Sequence, residues 1–526
     1  MMTAAQTLAA GAGFPVFVIF VTFVCCALFL AILVTTHRVT PGDFYIGDGR
    51  LTPLQNGIAI FGVYLSAATL FGSPGRIALT GFDGIGYLLG PIVGMVLVLL
   101  LIAEPYHSTG RYTIGDNLGR RLRTRSVHVA AGLATLVICV VYVIAQLVGA
   151  GALAAPITGL RGDGARALMV CSLGLLVILY AAIGGMRATT LIQVFKGVIM
   201  LGGGAALTVL VMSRVGWDPA ALLSRAANHS GLGDGFLRPG VSHGNQLVGE
   251  LDSLSVQLSV CIGAVGMPHV LMRLRTVPTA RSARRSVEIT AWLSLAFCLM
   301  VGVIGFGAAA LLGRNTIVAD NGTGNTAVLM LAESLGAVFV TMISCIAFTT
   351  ILAVVSGLVL TASAALAHDI YQVGIMNGKA SEKSELLVAR GTVVLVGLTA
   401  TVLSLYAQAE GISFLVGLAL AVAGSAVLPA LLYTMFWSRF TTRGALWSTY
   451  GGLIFSVLLV VFSPAVSGTP AALLPDQDFA YFPLGNPAVV SIPLGFLLGW
   501  LGSVLDPRRP DAARYAATEI SVLADV

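Results

Sequence analysis

Long apolar stretches separated by short polar segments recur along the whole chain. A helix needs about 20 apolar residues to cross a bilayer, and thirteen stretches approach or exceed this length. They cover residues 12–36, 54–73, 84–104, 127–155, 165–183, 189–213, 247–272, 289–312, 337–367, 385–406, 412–437, 443–463 and 487–504. A short amphipathic piece, residues 326–335, precedes the ninth stretch. The pattern predicts an all-α polytopic membrane protein with about 13 transmembrane helices.

The composition agrees with this fold class. Hydrophobic residues make up 57% of the chain and charged residues only 10%, and the mean hydropathy is +0.93. Soluble proteins carry roughly 25% charged residues, so we do not expect a globular enzyme. The 62 glycines suit membrane helices, where small residues let two backbones approach closely. The seven cysteines all lie in apolar stretches without zinc-site spacing and are interpreted as small buried residues.

Basic residues are distributed unevenly between the two sides of the predicted membrane. Most of the 29 Lys and Arg residues, Lys196 among them, fall in one of the two alternating sets of regions. The positive-inside rule places the richer set in the cytoplasm, which puts the N-terminus outside and the C-terminus inside. The net charge of +6 then reflects membrane topology, and we expect no nucleic-acid partner.

The remaining regions give no sign of a separate soluble domain. Residues 1–36 contain no Lys or Arg, which predicts a retained N-terminal helix rather than a cleaved signal peptide. The largest loops, 214–246 and 464–486, and the tail 505–526 are short. The chain also lacks a GxxxxGK[ST] motif, so we do not expect ATP-driven transport by this chain alone.

Two predicted helices contain residues that interrupt a helix. Residues 54–73 hold a glycine, a tyrosine and two hydroxyl residues in their middle, and the seventh stretch holds Gly263, Gly266 and Pro268. A membrane helix leaves backbone groups open only where it lines a protein cavity. Since the two stretches lie five spans apart, they suit corresponding places in two inverted repeats, as in secondary transporters. Glycine and proline also occur in ordinary membrane helices, so simple packing is the alternative.

Seven short motifs between residues 44 and 371 occur in the order typical of one family. They are Phe44-Tyr45 with Gly47 and Gly49-Arg50; Gln55-Asn56-Gly57 with Tyr64 to Ala68; Ala103-Glu104 with Gly110 to Thr113; Gly184 to Thr190 with Gln193 and Lys196; Gly266 to His269 with Leu271 and Arg273; Ala347-Phe348 with Thr350 to Val355; and His368 to Tyr371. With these motifs the chain resembles the sodium:solute symporters and, within them, the cation/acetate (monocarboxylate) permeases. The resemblance implies a leucine-transporter-type fold of inverted five-helix repeats.

The resemblance also implies a domain organisation and a function. An extra N-terminal helix lies in residues 1–36, the two repeats in 54–213 and 247–437, two C-terminal helices in 443–504, and a short cytoplasmic tail in 505–526. The implied function is cation-coupled symport of a short monocarboxylate, such as acetate, propionate or pyruvate, by alternating access across the cell membrane. The partners are then the carboxylate, a monovalent cation and the lipid bilayer, with no cofactor.

Two alternatives to this function stay open. The first is a sodium-coupled symporter of another small solute, such as an amino acid. The second is proton-coupled uptake of a monocarboxylate. A sensor or a channel on the same scaffold is less consistent with the short tail and with the lack of repeated polar rings.

The resemblance implies that the coupling sodium ion lies between the second and ninth spans. Its ligands on the second span are the carbonyl oxygens of Gly62 and Leu65, and on the ninth span the carbonyl of Thr350, with hydroxyls added by the ninth span. Carbonyl and hydroxyl oxygens suit such a hard cation.

The ninth span departs from the family pattern. Ala353 and Val354 occupy the paired Ser/Thr positions and offer no side-chain oxygen. Thr349 and Thr350 lie one turn earlier and, with Ser356, are the remaining hydroxyl candidates, although back-bonding within the helix is an equal alternative.

The second span departs from the pattern at one position. Val63 stands where related acetate permeases carry an aspartate. Together with the changes in the ninth span, this leaves both Na⁺ and H⁺ as coupling ions.

A carboxylate substrate needs hydrogen-bond donors. If the second span breaks near Leu65, the following half-helix begins around Ser66, Ala67 and Thr69, and its free N–H groups and positive dipole end favour an anion. The hydroxyls of Ser66 and Thr69 add donors, and Gln257 on the seventh span is a candidate amide donor across the cavity. Tyr64 is expected to shape the pocket. Packing between helices is the alternative role for each of these residues.

Three further polar residues lie near helix ends on the predicted inner side. We interpret Glu104 and Asp369 as partners of arginines in structural or gating salt bridges. For His269, which follows Pro268, local capping is the first interpretation and proton relay the second.

Overall fold

The computed structural model describes Thr22, Phe29 and residues 40–122, 124–153, 162–241, 247–408, 410–469, 472–474, 476–508 and 511–523. Within these residues the backbone is helical almost throughout, and strand pairing is limited to an isolated bridge between Ser467 and Leu474. The first predicted span, residues 12–36, lies outside the described residues except for Thr22 and Phe29. The all-helical fold class agrees with the hydrophobic pattern.

The helices of the first half include the predicted spans two to six. They are α1 (Pro41–Ile46), α2 (Pro53–Tyr64), α3 (Ala68–Thr80), α4 (Phe82–Thr109), α5 (Ile114–Leu122), α6 (Arg125–Gly151), α7 (Asp163–Arg214) and α8 (Pro219–His229). A turn at Gly185, with φ of 53°, divides α7 where the sequence predicts the boundary between the fifth and sixth spans. Glycine adopts this backbone region without the steric cost that a Cβ atom brings.

The helices of the second half include the predicted spans seven to thirteen. They are α9 (Leu247–Gly263), α10 (Pro268–Arg273), α11 (Ala280–Leu312), α12 (Arg314–Asp320), α13 (Ala327–Leu335), α14 (Val338–Ile375), α15 (Glu382–Tyr406), α16 (Ile412–Phe436), α17 (Thr442–Val461), α18 (Ala488–Val504) and α19 (Ala512–Leu523). The predicted amphipathic piece before the ninth span corresponds to α13.

In the described part of the chain, nine helices are long and apolar enough to cross a membrane, or ten if the bent pair α2 and α3 forms one span. The shorter apolar helix α18 is additional. The count is lower than thirteen partly because α7 is counted once although the turn at Gly185 divides it, and because the first stretch is not described. The number of crossings and the side of each terminus therefore stay predictions.

Both predicted helix interruptions are present. The axes of α2 and α3 differ by 64°, and the backbone between them is extended at Leu65, with φ −79° and ψ 115°. Between α9 and α10 the backbone is extended at Met267, with nearly the same angles of −71° and 114°. A capping box at Thr52 and Gln55 fixes the start of α2. The two breaks thus share one local geometry.

Close helix contacts surround each break. A Cβ atom on Gly62 of α2 would lie 2.1 Å from the carbonyl oxygen of Gln193 on α7. A Cβ on Gly263 of α9 would lie 2.1 Å from the carbonyl oxygen of Leu420 on α16. Glycine is therefore required at these two positions because a neighbouring backbone lies too close for a Cβ atom, and not because the chain must be flexible there.

The predicted tail contains the amphipathic helix α19, which packs against the protein. Arg120 of α5 donates a hydrogen bond to the hydroxyl of Ser521 over 2.8 Å. The neighbouring Arg121 guanidinium lies 4.7 Å from the ring centre of Tyr515. The helix Ala512–Leu523 is thus part of the folded bundle.

Candidate functional site

A cavity of about 540 Å³, counted with the space that opens toward solvent, lies beside the two helix breaks. The lining residues are Tyr64, Leu65, Ser66, Ala68, Thr69, Ser73, Tyr87, Pro91, Tyr142, Val260, Met267, His269, Ser413, Val416 and Leu420. Both breaks thus contribute to one cavity, as the sequence predicts for a site at the midplane of inverted repeats.

Three of the five predicted substrate residues line this cavity. Ser66 and Thr69 bring hydroxyl groups to it, and both side chains are almost completely buried. The Tyr64 ring forms part of the wall, while its hydroxyl donates a hydrogen bond to the carbonyl of Pro91 over 2.9 Å. Tyr64 is therefore held in position by α4 rather than presenting its hydroxyl freely.

The backbone N–H groups after the break already have acceptors, which corrects the expectation that they are free. The N–H of Ala67 donates to the Gln146 side-chain oxygen over 3.1 Å. The N–H of Ala68 donates to the Ser66 hydroxyl, and that of Thr69 donates to the Ser66 carbonyl. Gln146 lies on α6, and its position opposite the break could not be predicted from periodicity. Because these N–H groups already have acceptors, a ligand in the cavity would bind to side chains instead.

Gln257, predicted as an amide donor to the substrate, is not among the residues that line this cavity. Gln257 is exposed and its amide nitrogen lies beside Gly86 of α4, where a Cβ atom on Gly86 would be 3.0 Å away. Val260, one helical turn further along α9, lines the cavity instead. The helical pattern places both residues on nearly the same side, but it does not tell at which depth the cavity begins.

His269 and Ser413 are the unpartnered polar groups of the cavity wall. Neither ring nitrogen of His269 nor the hydroxyl of Ser413 has a hydrogen-bond partner among the described residues. The His269 side chain is 3% exposed, and its ring centre lies 5.5 Å from that of Tyr142. Local capping by His269 is therefore not observed. Buried polar groups normally have partners, so the two side chains mark a place for a polar ligand.

The carbonyl oxygens of Gly62 and Leu65, predicted as sodium ligands, both accept hydrogen bonds from the Lys196 ammonium. The distance from Lys196 Nζ to the Gly62 oxygen is 2.9 Å, and Leu65 is the second acceptor. The Lys196 side chain is completely buried within α7. Its assignment to the basic residues of the inner loops is therefore wrong. The sequence carries one sign of this buried position, because Lys196 is a single lysine in an otherwise apolar stretch.

Gln193 makes the corresponding contact with α14. Its amide nitrogen donates to the carbonyl oxygen of Ala353 over 3.1 Å. Its amide oxygen accepts a hydrogen bond from the buried guanidinium of Arg273, which also donates to the Thr190 hydroxyl over 2.6 Å. Because Gln193 and Lys196 are three residues apart, one face of α7 supplies donors to both helices of the predicted ion position.

The hydroxyl candidates on α14 bond to their own helix. Thr349 donates to the carbonyl of Cys345 over 2.6 Å, and Thr350 donates to that of Ile346 over 2.7 Å. Ser356 donates to the carbonyl of Ala353 over 3.1 Å. This is the back-bonding that the sequence leaves as an equal alternative.

A second polar cluster ties together the helix ends on the predicted inner side. Asp369 of α14 accepts a hydrogen bond from the Thr113 hydroxyl over 2.7 Å and lies 2.9 Å from a ring nitrogen of His128 on α6. Its partner is thus a histidine and not one of the expected arginines. Glu104 pairs with Arg284 over 3.4 Å, as expected for an exposed inner salt bridge.

Asp116 extends this inner cluster from α5. Its carboxylate accepts the N–H of Tyr112 over 2.7 Å and lies 3.1 Å from His368. Burial by itself raises the pKa of Asp116, but the hydrogen bonds from His368 and Tyr112 outweigh it and hold the pKa well below its usual range. The ligand atoms of Asp116, His128 and Asp369 lie within 4.8 Å of one another, a spacing that a metal ion could use.

Comparison with known sequences identifies close relatives of the chain. The model of the sodium:solute symporter family matches residues 44–452. A monocarboxylic acid transporter of Corynebacterium glutamicum is 42% identical, and the match covers 99% of this chain and 97% of the relative. An uncharacterized symporter of Bacillus subtilis is 41% identical, with 93% and 94% covered.

Comparison with solved structures identifies the fold. A Na⁺-coupled sialic acid symporter in a substrate-bound, outward-open state has a TM-score of 0.72 at 15% identity, and the match covers 95% of this chain and 98% of that one. A nucleobase-cation-symport-1 family transporter has a TM-score of 0.53 at 11% identity, with 92% and 99% covered. At these identities the likeness concerns the fold alone, which is the leucine-transporter type predicted from the motifs.

Proposed function

The chain belongs to the sodium:solute symporter family, and from this premise we propose that it carries a short monocarboxylate into the cell together with a monovalent cation. It is a multi-pass membrane transporter and not an enzyme. The monocarboxylic acid transporter of Corynebacterium glutamicum supports a substrate of the acetate, propionate and pyruvate class. Residues 54–213 and 247–437 form the proposed inverted repeats, and the like backbone angles at Leu65 and Met267 favour this division.

One observation carries the proposal of a carboxylate substrate. The cavity between the breaks holds two unpartnered buried polar groups, on His269 and Ser413, beside the hydroxyls of Ser66 and Thr69. Ring N–H and hydroxyl groups can donate to both oxygens of a carboxylate. Apolar side chains such as Val260 complete the wall, which suits a short alkyl chain. A small anion with an apolar end therefore fits the chemistry of this cavity.

The remaining assignments concern the coupling cation. In the sodium version of the function, the ion binds between α2 and α14 through Gly62, Leu65, Thr349, Thr350 and Ala353. The proton version is the second candidate. It is favoured by one observation, namely that Lys196 and Gln193 already donate to the carbonyls of Gly62, Leu65 and Ala353.

Uptake into proteoliposomes tests the proposed function. We expect radiolabelled acetate to accumulate when an inward cation gradient is imposed and not when the gradient is absent. One cation moving with one monoanion transfers no net charge, so an electrical gradient of about 100 mV, worth about 2.3 kcal/mol per charge, should add nothing.

Protein-free liposomes are the control for this assay, because undissociated acetic acid crosses lipid unaided. Absence of protein-dependent uptake under sodium, proton and electrical gradients alike would refute the proposed function. Inhibition by excess propionate and pyruvate, but not by neutral amino acids, would exclude the alternative of an amino-acid symporter.

The role of His269 can be tested by substitution. His269→Leu removes both ring nitrogens but keeps an apolar side chain beside Tyr142. Because a hydrogen bond to a charged group contributes about 1.5–3 kcal/mol, we expect the KM for acetate to rise at least about tenfold, with a smaller effect on kcat. His269→Asn keeps a donor and should recover part of the affinity. An unchanged KM in His269→Leu would exclude contact between this residue and the substrate.

A further inference from the structure

The break between α2 and α3 leaves two backbone carbonyls without their usual partners inside the helix. In a continuous helix the oxygens of Gly62 and Leu65 would accept from the N–H groups four residues further on. The Thr69 N–H, which Leu65 would use, bonds to Ser66 instead. An open carbonyl in the apolar interior of a membrane protein needs a donor or a cation. The family resemblance assigns this position to sodium.

In this chain the position is filled by a side chain. The Lys196 ammonium donates to both carbonyls, at 2.9 Å from the Gly62 oxygen. The close approach of the two backbones at Gly62 and Gln193 brings α7 near enough for the lysine stem to reach the break. The Lys196 nitrogen thus contacts the same two oxygens that the family resemblance assigns to sodium.

The second half of the predicted ion position is also filled. The carbonyl of Ala353 on α14 accepts from the Gln193 amide over 3.1 Å, and Arg273 holds that amide in place. A sodium ion at this position would have to displace the Lys196 nitrogen from two carbonyls and the Gln193 amide from the third.

Within the described residues the Lys196 nitrogen contacts the two carbonyls and no carboxylate. Val63, which stands at the family's aspartate position, is buried and apolar. A second cation therefore lacks an acidic group that would attract it to the break. The cavity lies beside this contact, because Leu65, whose carbonyl accepts from Lys196, also lines the cavity.

We propose that the Lys196 side chain occupies the α2 break, in the position that the family gives to sodium, and that substrate uptake by this chain does not require sodium. This inference rests on the proposed function, because it concerns the ion side of the same transport site. It assigns to Lys196 the task of holding the break through the carbonyl oxygens of Gly62 and Leu65.

Sodium dependence is the direct test. Acetate uptake driven by a proton gradient should change less than about twofold when choline replaces sodium on both sides of the membrane. The purified protein should show no saturable binding of radiolabelled sodium in the presence or absence of acetate. Saturable sodium binding, or uptake that depends on sodium, by the unmodified chain would overturn the inference.

Substitution of the lysine gives a second test. Lys196→Met keeps most of the side-chain volume and removes the ammonium, so acetate uptake should fall at least about tenfold. Val198→Met places the same side chain at an exposed position of α7 and should leave uptake unchanged. Retention of uptake by folded Lys196→Met, judged by size-exclusion chromatography, would overturn the inference.

The outcomes separate this inference from the proposed function. If Lys196→Met does not fold, the sodium measurements on the unmodified chain still decide whether uptake requires sodium. If the unmodified chain transports no acetate under any gradient, the proposed function fails, while the sodium-binding measurement on purified protein still decides whether the ammonium excludes the ion.

Discussion

Gly62→Ala should reduce acetate uptake by more than about tenfold, the equivalent of about 1.4 kcal/mol or more. The added Cβ atom would lie 2.1 Å from the carbonyl oxygen of Gln193, a distance that only a shift of one helix backbone can relieve. Overpacking of this kind costs about 1–3 kcal/mol, and here it separates α2 from α7. Because the Gly62 carbonyl binds Lys196, the same shift disturbs the ion side of the site.

The matched control is Gly202→Ala on α7, where no atom lies within 4 Å of the added Cβ. This variant should transport acetate at the rate of the unmodified chain. Measurements of initial uptake rates in proteoliposomes, normalised to reconstituted protein, compare the two. Equal rates for Gly62→Ala and Gly202→Ala would contradict the close approach of α2 and α7.

Arg121→Met should prevent most of the protein from folding. The Arg121 guanidinium is buried at the C-terminal end of α16, where helix carbonyls lack partners and the dipole is negative. It donates to the carbonyl oxygens of Tyr433, Thr434, Trp437, Ser438 and Phe440. Burial lowers the pKa of Arg121 to about 10, so the side chain stays charged at neutral pH. A buried acceptor without a donor costs about 1–3 kcal/mol, and Arg121→Met removes a donor from several carbonyl oxygens at once.

Arg120→Met is the control for this substitution, because Arg120 is exposed and, within the described residues, donates to the Ser108 carbonyl and the Ser521 hydroxyl. The yield of monodisperse protein in size-exclusion chromatography and the melting temperature should fall strongly for Arg121→Met and little for Arg120→Met. Arg121→Lys should recover only part of the loss, since one ammonium cannot reach five carbonyls. Equal stability of Arg121→Met and Arg120→Met would exclude the capping role.

The sequence predicts the transport site better on α2 and α3 than on the helices opposite. Polar residues are conspicuous in an apolar stretch, and this criterion identifies Ser66, Thr69 and Tyr64. All three line the cavity. Gln257 satisfies the same criterion and lies outside the cavity. Its helix is correctly predicted, but the depth at which a cavity meets a helix depends on how neighbouring helices tilt and bend.

The class of the protein, its helix breaks and its family follow from the sequence alone. Apolar length, charge asymmetry and the motifs from Phe44 to Tyr371 are local properties of the chain, and backbone hydrogen bonding in lipid turns them directly into helices. Interruptions such as Leu65 and Met267 are equally local, because glycine, proline and polar residues weaken a helix where they stand.

Only the tertiary structure determines which side chains donate hydrogen bonds to the carbonyl oxygens at the helix break. Lys196 lies 131 residues from Leu65 along the chain, and it contacts that carbonyl because α7 packs against α2 at Gly62. Gln193 reaches Ala353 across 160 residues in the same way. The pattern of the sequence predicts that the break needs a partner. Helix packing determines that the partner is the Lys196 side chain, because the choice depends on contacts between distant segments.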